Sequence, residues 1–123
     1  MEVLAHGETT SRIIGAAFEV HNVLGYGFLE KVYQRAMQVE LIKGGSSAET
    51  ETPIHVLYKN AVVGEYCADL LVDRCVIVEI KVARSYNPAD EAQLLNELKA
   101  TGMKVGMLVN FGRERVEHKR MVF

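Results

Sequence analysis

Apolar side chains recur at helical spacing over the first third of the chain and at strand spacing beyond it. Ile13, Ala16, Ala17, Val20 and Leu24 fall on one stripe of a helix. Thr9, Thr10 or Ser11 is placed to cap its start, and Gly25-Tyr26-Gly27 stops it. A second helix is predicted over about Leu29 to Lys43, with Val32, Ala36, Val39 and Leu41 or Ile42 turned inward. Gly44-Gly45-Ser46-Ser47 ends it with a left-handed cap and a flexible turn. This is the only linker-like stretch, and it is too short to divide domains.

The period then changes from helical to alternating. Ile54, Val56 and Tyr58 alternate with His55 and Leu57, as in a half-buried strand closed by Lys59-Asn60-Ala61. Val62 to Val72 and Cys75 to Val82 read as two more strands. Both are apolar on two faces, which predicts central strands covered on each side. Asn87 is a good N-cap, Pro88 suits the first helical position, and Asp90 and Glu91 favour the positive end of that helix. The helix runs to about Ala100 and stops at Gly102. Lys104 to Asn110 is a fourth strand, closed by Asn110-Phe111-Gly112, and Val116 to Val122 is a charged edge strand. The order is ααβββαββ, with no internal repeat and no low-complexity tract.

Length narrows this to one domain over residues 1–123, enough for a real core. With 49% hydrophobic and 24% charged residues and a net charge of -2, no basic surface announces nucleic acid. A metal nuclease is still compatible, since bound cations offset phosphate charge. Cys67 and Cys75 form no CxxC, so a reduced, cytoplasmic chain is expected. Residues 1–10 hold no apolar h-region, and no apolar run approaches membrane-spanning length.

Against this ordinary background, Asp69 and Glu79-Ile80-Lys81 stand out. Two acids and a lysine on strands this apolar are costly to desolvate without a partner. Period-2 geometry puts Glu79 and Lys81 on one face of the third strand and Ile80 on the other. Whether Asp69 joins them depends on register. A two-residue loop at Asp73-Arg74 pairs Ala68 with Glu79; a three-residue loop or a bulge pairs Asp69 with Glu79. Asp73-Arg74 is a poor type I′ turn, because Arg at positive φ is disfavoured, so the odd loop is expected. In that register the two carboxylates and the Ile80 carbonyl can bind Mg²⁺ or Mn²⁺ through oxygen. Such an ion polarises a phosphoryl oxygen and acidifies a water, while Lys81 orients the water and offsets developing charge. The bland reading is a cross-strand salt bridge of Asp69 or Glu79 with Lys81.

The remaining candidates carry less. His21 reads as a packing or hydrogen-bonding residue, and His55 and His118 as solvated. No His/Cys cluster has zinc-ligand spacing. Arg113, Arg115, Lys119 and Arg120 form the densest basic group; with Lys81 and Arg84 they can contact phosphate if they flank the cleft. Neither a Gly-rich phosphate loop nor a nucleophile elbow is present.

An acid, then Glu-x-Lys on the next strand, then a helix with Gln93, resembles the PD-(D/E)XK nuclease superfamily. Gly27-Phe28-Leu29-Glu30-Lys31-Val32-Tyr33 fits Gly-x-x-Glu-x-x-Tyr, the motif of the small GxxExxY proteins. His21, Leu24-Gly25, Tyr66-x-Ala68-Asp69-Leu70-Leu71-Val72, Glu91-Ala92-Gln93-Leu94-Leu95-Asn96, Thr101-Gly102 and Val109-Asn110-Phe111-Gly112 are similar to that family too, in order. The resemblance implies an α/β, restriction-endonuclease-like core, a mixed central sheet flanked by helices. It implies Asp69, Glu79 and Lys81 at the catalytic positions, Glu30 as a further acid reaching the metal from a helix, and Gln93 near the same site. It implies Mg²⁺ or Mn²⁺ as cofactor and DNA as partner. Two features depart from the pattern: the related Gln-x-x-x-Tyr would place a tyrosine where Glu97 stands, and no histidine precedes Glu91-Ala92-Gln93.

Read for local structure alone, Glu30 is a first-turn acid stabilising a helix N-terminus, Tyr33 a packed residue on the same face, and Gln93 a backbone cap. Gln93, Asn96 and Glu97 share a helix face that is expected to look toward the site. The function expected is a Mg²⁺-dependent nuclease hydrolysing phosphodiesters in DNA; the alternative is a non-catalytic nucleic-acid- or protein-binding module that keeps the fold. A chain with one site needs a homodimer to cut both strands together, and the exposed edge strand leaves that open.

Overall fold

A computed structural model describes residues 4–123. Helices α1 (Gly7–Leu24) and α2 (Glu30–Lys43) precede strands β1 (Ala48–Tyr58), β2 (Ala61–Val72) and β3 (Val76–Lys81). Helix α3 (Pro88–Thr101) and strands β4 (Val105–Asn110) and β5 (Glu117–Val122) complete the predicted order. The strands form one five-stranded sheet, β1-β2-β3-β4-β5. All neighbours are antiparallel except β3 and β4, which run parallel because α3 crosses over between them. This mixed sheet with helices on both faces is the restriction-endonuclease-like architecture.

Alternation along β3 builds two cores. Val76, Val78 and Ile80 turn to one face and pack with Ile13, Ala17, Val20, Tyr33, Met37 and Phe111. Ile77 turns to the other, under Leu94 and Leu98 of α3. Burying each such aliphatic side chain contributes about 1.5–3 kcal/mol. Asn87 caps α3 as predicted, its Oδ1 accepting the Ala89 N–H at 3.0 Å, and Gly102 closes it at φ 74°.

Several local expectations are corrected. Helix α1 begins at Gly7, after His6, so Thr9, Thr10 and Ser11 lie inside it and cap nothing. The Thr9 hydroxyl is spent instead on Asp73, at 2.9 Å. Helix α2 is rolled from the predicted stripe. Of that stripe Leu41 is buried and Ala36 packs on the core, but Tyr33, Gln34 and Met37 take the rest of the inward face while Val32, Val39 and Ile42 are exposed. Polar tips with assured partners outcompeted the aliphatics: the Tyr33 hydroxyl donates to Gly25 O at 2.6 Å and the Gln34 amide to Asp69 O at 2.8 Å. Strand β1 starts at Ala48, six residues early, and tolerates Pro53 because it is an edge. Strand β2 is covered only from Ala68 onward; Val62, Val63 and Tyr66 are exposed on a two-stranded ribbon with β1. Both cysteines are unpaired thiols.

Candidate functional site

The β2–β3 hairpin has the odd loop. Val72 pairs with Val76, leaving Asp73, Arg74 and Cys75 between them, so Leu70 pairs with Val78 and Asp69 lies level with Glu79. Arg74 nevertheless sits at positive φ, 57°, beside Asp73 at 51°. The strain is held in place by Asp73, whose carboxylate accepts from Thr9 Oγ1, from Ser47 N at 3.0 Å and from Arg12 at 2.7 Å.

The two strands part at Asp69. The ladder ends at Leu70–Val78, and the Asp69 side chain takes over, its Oδ2 accepting the Ile80 N–H at 2.7 Å. The Ile80 carbonyl lies on the same edge of β3 as that N–H by strand geometry, so it too faces the gap. The Asp69 carbonyl, freed from the ladder, is met by Gln34. On the far side β1 gives way as well. Thr50 pairs with Leu70 and Thr52 with Ala68, but Glu51, at φ 52°, is paired with nothing opposite Asp69. The Glu51 carboxylate instead holds Lys31 at 2.6 Å, next to Glu30.

Glu79 is 3% exposed and lies under α3, where Glu97 is 2% exposed. Burial pushes the Glu79 carboxyl well above the usual carboxylate range, and hydrogen bonding with Glu97 and the charges of Asp69 and Glu97 push it further. Gln93 Nε2 donates to Glu97 Oε2 at 3.3 Å. Glu30, at the first turn of α2, is also raised, by burial first and by Asp69 second, with Lys81 opposing. Lys81 Nζ stands 3.7 Å from Asp90 Oδ1. Glu30, Lys81, Tyr86, Asn87 and Asp90 line one open cleft. An adjoining cavity of about 220 Å³ continues past Lys81 to Asn110, Arg113 and Lys119.

Asp69 thus lies within reach of Glu79 on one side and of Glu30 on the other, Lys81 is also near Glu30, and Gln93 touches Glu97. Asn96 is exposed and does not share that face, since Leu94 and Leu98 set the roll of α3. Of the basic group, Arg113 and Lys119 flank the cavity, each ion-paired, at 3.3 Å to Glu117 and 2.8 Å to Glu91. His118 is exposed and His21 is buried, its Nε2 2.8 Å from Arg113 O.

Of four supporting residues, Gln34 escaped the sequence reading of the site, while Asn110, Gly112 and Tyr33 entered it only as motif or packing residues. Gln34 lies one helical turn after Glu30, a spacing that could have flagged it. Asn110 accepts the Ala83 and Gly112 N–H groups on Oδ1, each at 3.0 Å, and returns Nδ2 to Ala83 O at 2.8 Å, fixing the chain beyond Lys81. Gly112 is required there: a Cβ would come within 2.5 Å of the Val82 backbone. Tyr33, stacked on Phe111 at 4.5 Å, anchors the α1–α2 loop and so the start of the helix that carries Glu30.

A cation fits this donor set on one observation. Glu79 Oε1 and Glu97 Oε1 are buried with no hydrogen-bond partner, and carboxyl oxygens left without a partner are ligands a hard divalent ion can take. Among the described residues, no three His, Cys, Asp or Glu side chains are already gathered around one point. The residues that would hold the ion are Asp69, Glu79, the Ile80 carbonyl and Glu30.

The chain belongs to the PD-(D/E)XK nuclease superfamily, whose family model matches residues 7–121. A crystal structure of the protein SSO0001 has the same fold, with a TM-score of 0.58 at 19% identity; the match covers 95% of this chain and 59% of that one. Among curated proteins, none matches. Superfamily membership supports a nuclease-like function in general terms. No helix among the described residues is long and apolar enough to cross a membrane.

Proposed function

We propose that this chain is a cytoplasmic, Mg²⁺- or Mn²⁺-dependent nuclease of the GxxExxY type, one domain over 1–123, that hydrolyses phosphodiester bonds in DNA. The observation that carries this reading is the parting of β2 from β3, with Asp69 bonded to the Ile80 N–H at 2.7 Å and Glu79 level with it. Asp69, Glu79, the Ile80 carbonyl and Glu30 would hold the ion. When bound, it supplies Lewis acidity, offsetting phosphate charge and acidifying water.

The chain's own groups do the rest. Asp69 is oriented by Ile80 and by Gln34 behind it, so little reorganisation is left for the reaction. Lys81, about one quarter exposed, reaches solvent from the same strand face as Glu79 and can leave Asp90 to orient water or meet the phosphate. Gln93 holds the buried Glu97 in place. Arg113 and Lys119 offer further cations to the nucleic-acid backbone, each held by a nearby acid until phosphate competes for it. Cutting both strands together would call for a homodimer.

Incubation of purified protein with Mg²⁺ or Mn²⁺ and single-stranded, duplex and branched DNA tests this. Cation-dependent cleavage, lost in Asp69→Ala, is expected; intact substrates throughout would sink it. A second reading, a non-catalytic binding module, is favoured by the Lys81–Asp90 pair and by the absence of three preassembled donors among the described residues. Calorimetric Mg²⁺ titration of wild type and Glu79→Ala separates the two, since a binding module shows no Glu79-dependent ion.

A further inference from the structure

Glu97 occupies a position for which the site as described has no use. Its backbone is fixed on α3 between Leu94 and Leu98, both fully buried, and Thr101 bonds back to its carbonyl at 2.9 Å. The side chain is therefore delivered to the sheet at a set depth, 2% exposed, against Glu79 at 3%. Each of the two carboxyls has an Oε1 with no partner. The Gln93 amide donates to Glu97 Oε2 at 3.3 Å, and the other contacts of the pair are with carboxyls, Glu79 with Glu97 and with Asp69. Among the described residues no lysine or arginine pairs with them, and Lys81 is turned to Asp90. Asp69 adds its charge to Glu79, and Glu30 feels Asp69 in turn, so four acids run inward from the cleft.

A proton shared by Glu79 and Glu97 would satisfy their mutual contact but engage no more than one oxygen of each carboxyl. A hard cation satisfies both and offsets two charges. We propose that Glu97 is a metal ligand in this chain, binding through its carboxylate the same divalent cation that Asp69 and Glu79 hold. This rests on the proposed metal site and deepens it. In the Gln-x-x-x-Tyr pattern a tyrosine at this point of the helix could touch a phosphate. Here the position would serve the cation instead of the substrate.

Mn²⁺ titration by calorimetry, without substrate, tests this on wild type, Glu97→Gln, Glu97→Met and Glu79→Gln. Both Glu97 variants keep side-chain length and remove a buried carboxyl from beside another, so each is expected to melt in EDTA at or above the wild-type temperature. Wild type is expected to bind one ion, Glu79→Gln to lose it, and both Glu97 variants to bind more weakly by more than the roughly 10- to 100-fold that loss of a group merely supporting a ligand costs. Their Mn²⁺-induced rise in melting temperature shrinks accordingly. Wild-type affinity in both Glu97 variants, with loss in Glu79→Gln, overturns the ligand assignment and leaves the Asp69–Glu79 site standing. No ion in wild type, or an unchanged one in Glu79→Gln, overturns both.

Discussion

The two faces of β3 differ by one residue of offset and by almost everything else. Toward α1 and α2, Val76, Val78 and Ile80 enter a sealed apolar core closed by the Tyr33–Phe111 stack. Toward α3, Ile77 is followed by Glu79 and Lys81, and the apolar cover ends as the strands part. The sealed face makes the strand rigid; the other face uses that rigidity to hold acids where water alone would not place them. A site of this kind needs both, because charges buried at 3% exposure stay put only if the backbone beneath them cannot relax.

The sharpest break of this comparison is in the sealed face. Phe111→Ala should cost about 3–5 kcal/mol in urea unfolding, since Phe111 is fully buried between Tyr33 and His21. A loss below about 1 kcal/mol, the scale of an ordinary point mutation, would mean that this core is not what stiffens β3. On the open face, Lys81→Ala should lower cation-dependent cleavage at least about a hundredfold, roughly 2.7 kcal/mol of transition-state stabilisation, while leaving the melting temperature close to wild type. Equal damage to stability would make Lys81 a structural ion pair with Asp90.

Glu79 sharpens the contrast through pH. Its folded carboxyl is raised from 4.5 to about 10, so between those values the folded, metal-free chain holds a proton that the unfolded chain has released. Stability in EDTA should therefore fall as pH rises across that window, by up to about 1.4 kcal/mol per unit. Glu79→Gln should flatten the slope between pH 6 and pH 8. An unchanged slope would show that another group sets it. Because an ion must displace that proton, Mn²⁺ affinity should climb over the same window. The smallest effect belongs to Lys31→Ala. Its pair with Glu51 is exposed on both sides, so the melting temperature should not move, and a clear drop would show that the unpaired Glu51 depends on it.

The elements and their order were legible from period alone, because helix and strand spacing survive whatever the neighbours do. Asp69, Glu79 and Lys81 were legible too, since charges on apolar strands stand out, and the odd hairpin loop followed from what the site requires of register. The roll of α2 was not legible. Val32, Val39 and Ile42 make as good a stripe as Tyr33, Met37 and Leu41 until Gly25 O and Asp69 O are there to receive Tyr33 and Gln34. The exposed half of β2 was hidden likewise, because an apolar strand reads the same whether a helix covers it or not.

By itself the sequence determined the periods, the caps at Asn87 and Gly102, and the few charged residues set into apolar strands. Those are properties of neighbours along the chain, carried by backbone geometry and side-chain type. Only the tertiary structure decided that β2 leaves β3 at Asp69 and that Glu97 lies buried against Glu79. Both are set by packing and pairing between segments distant in sequence.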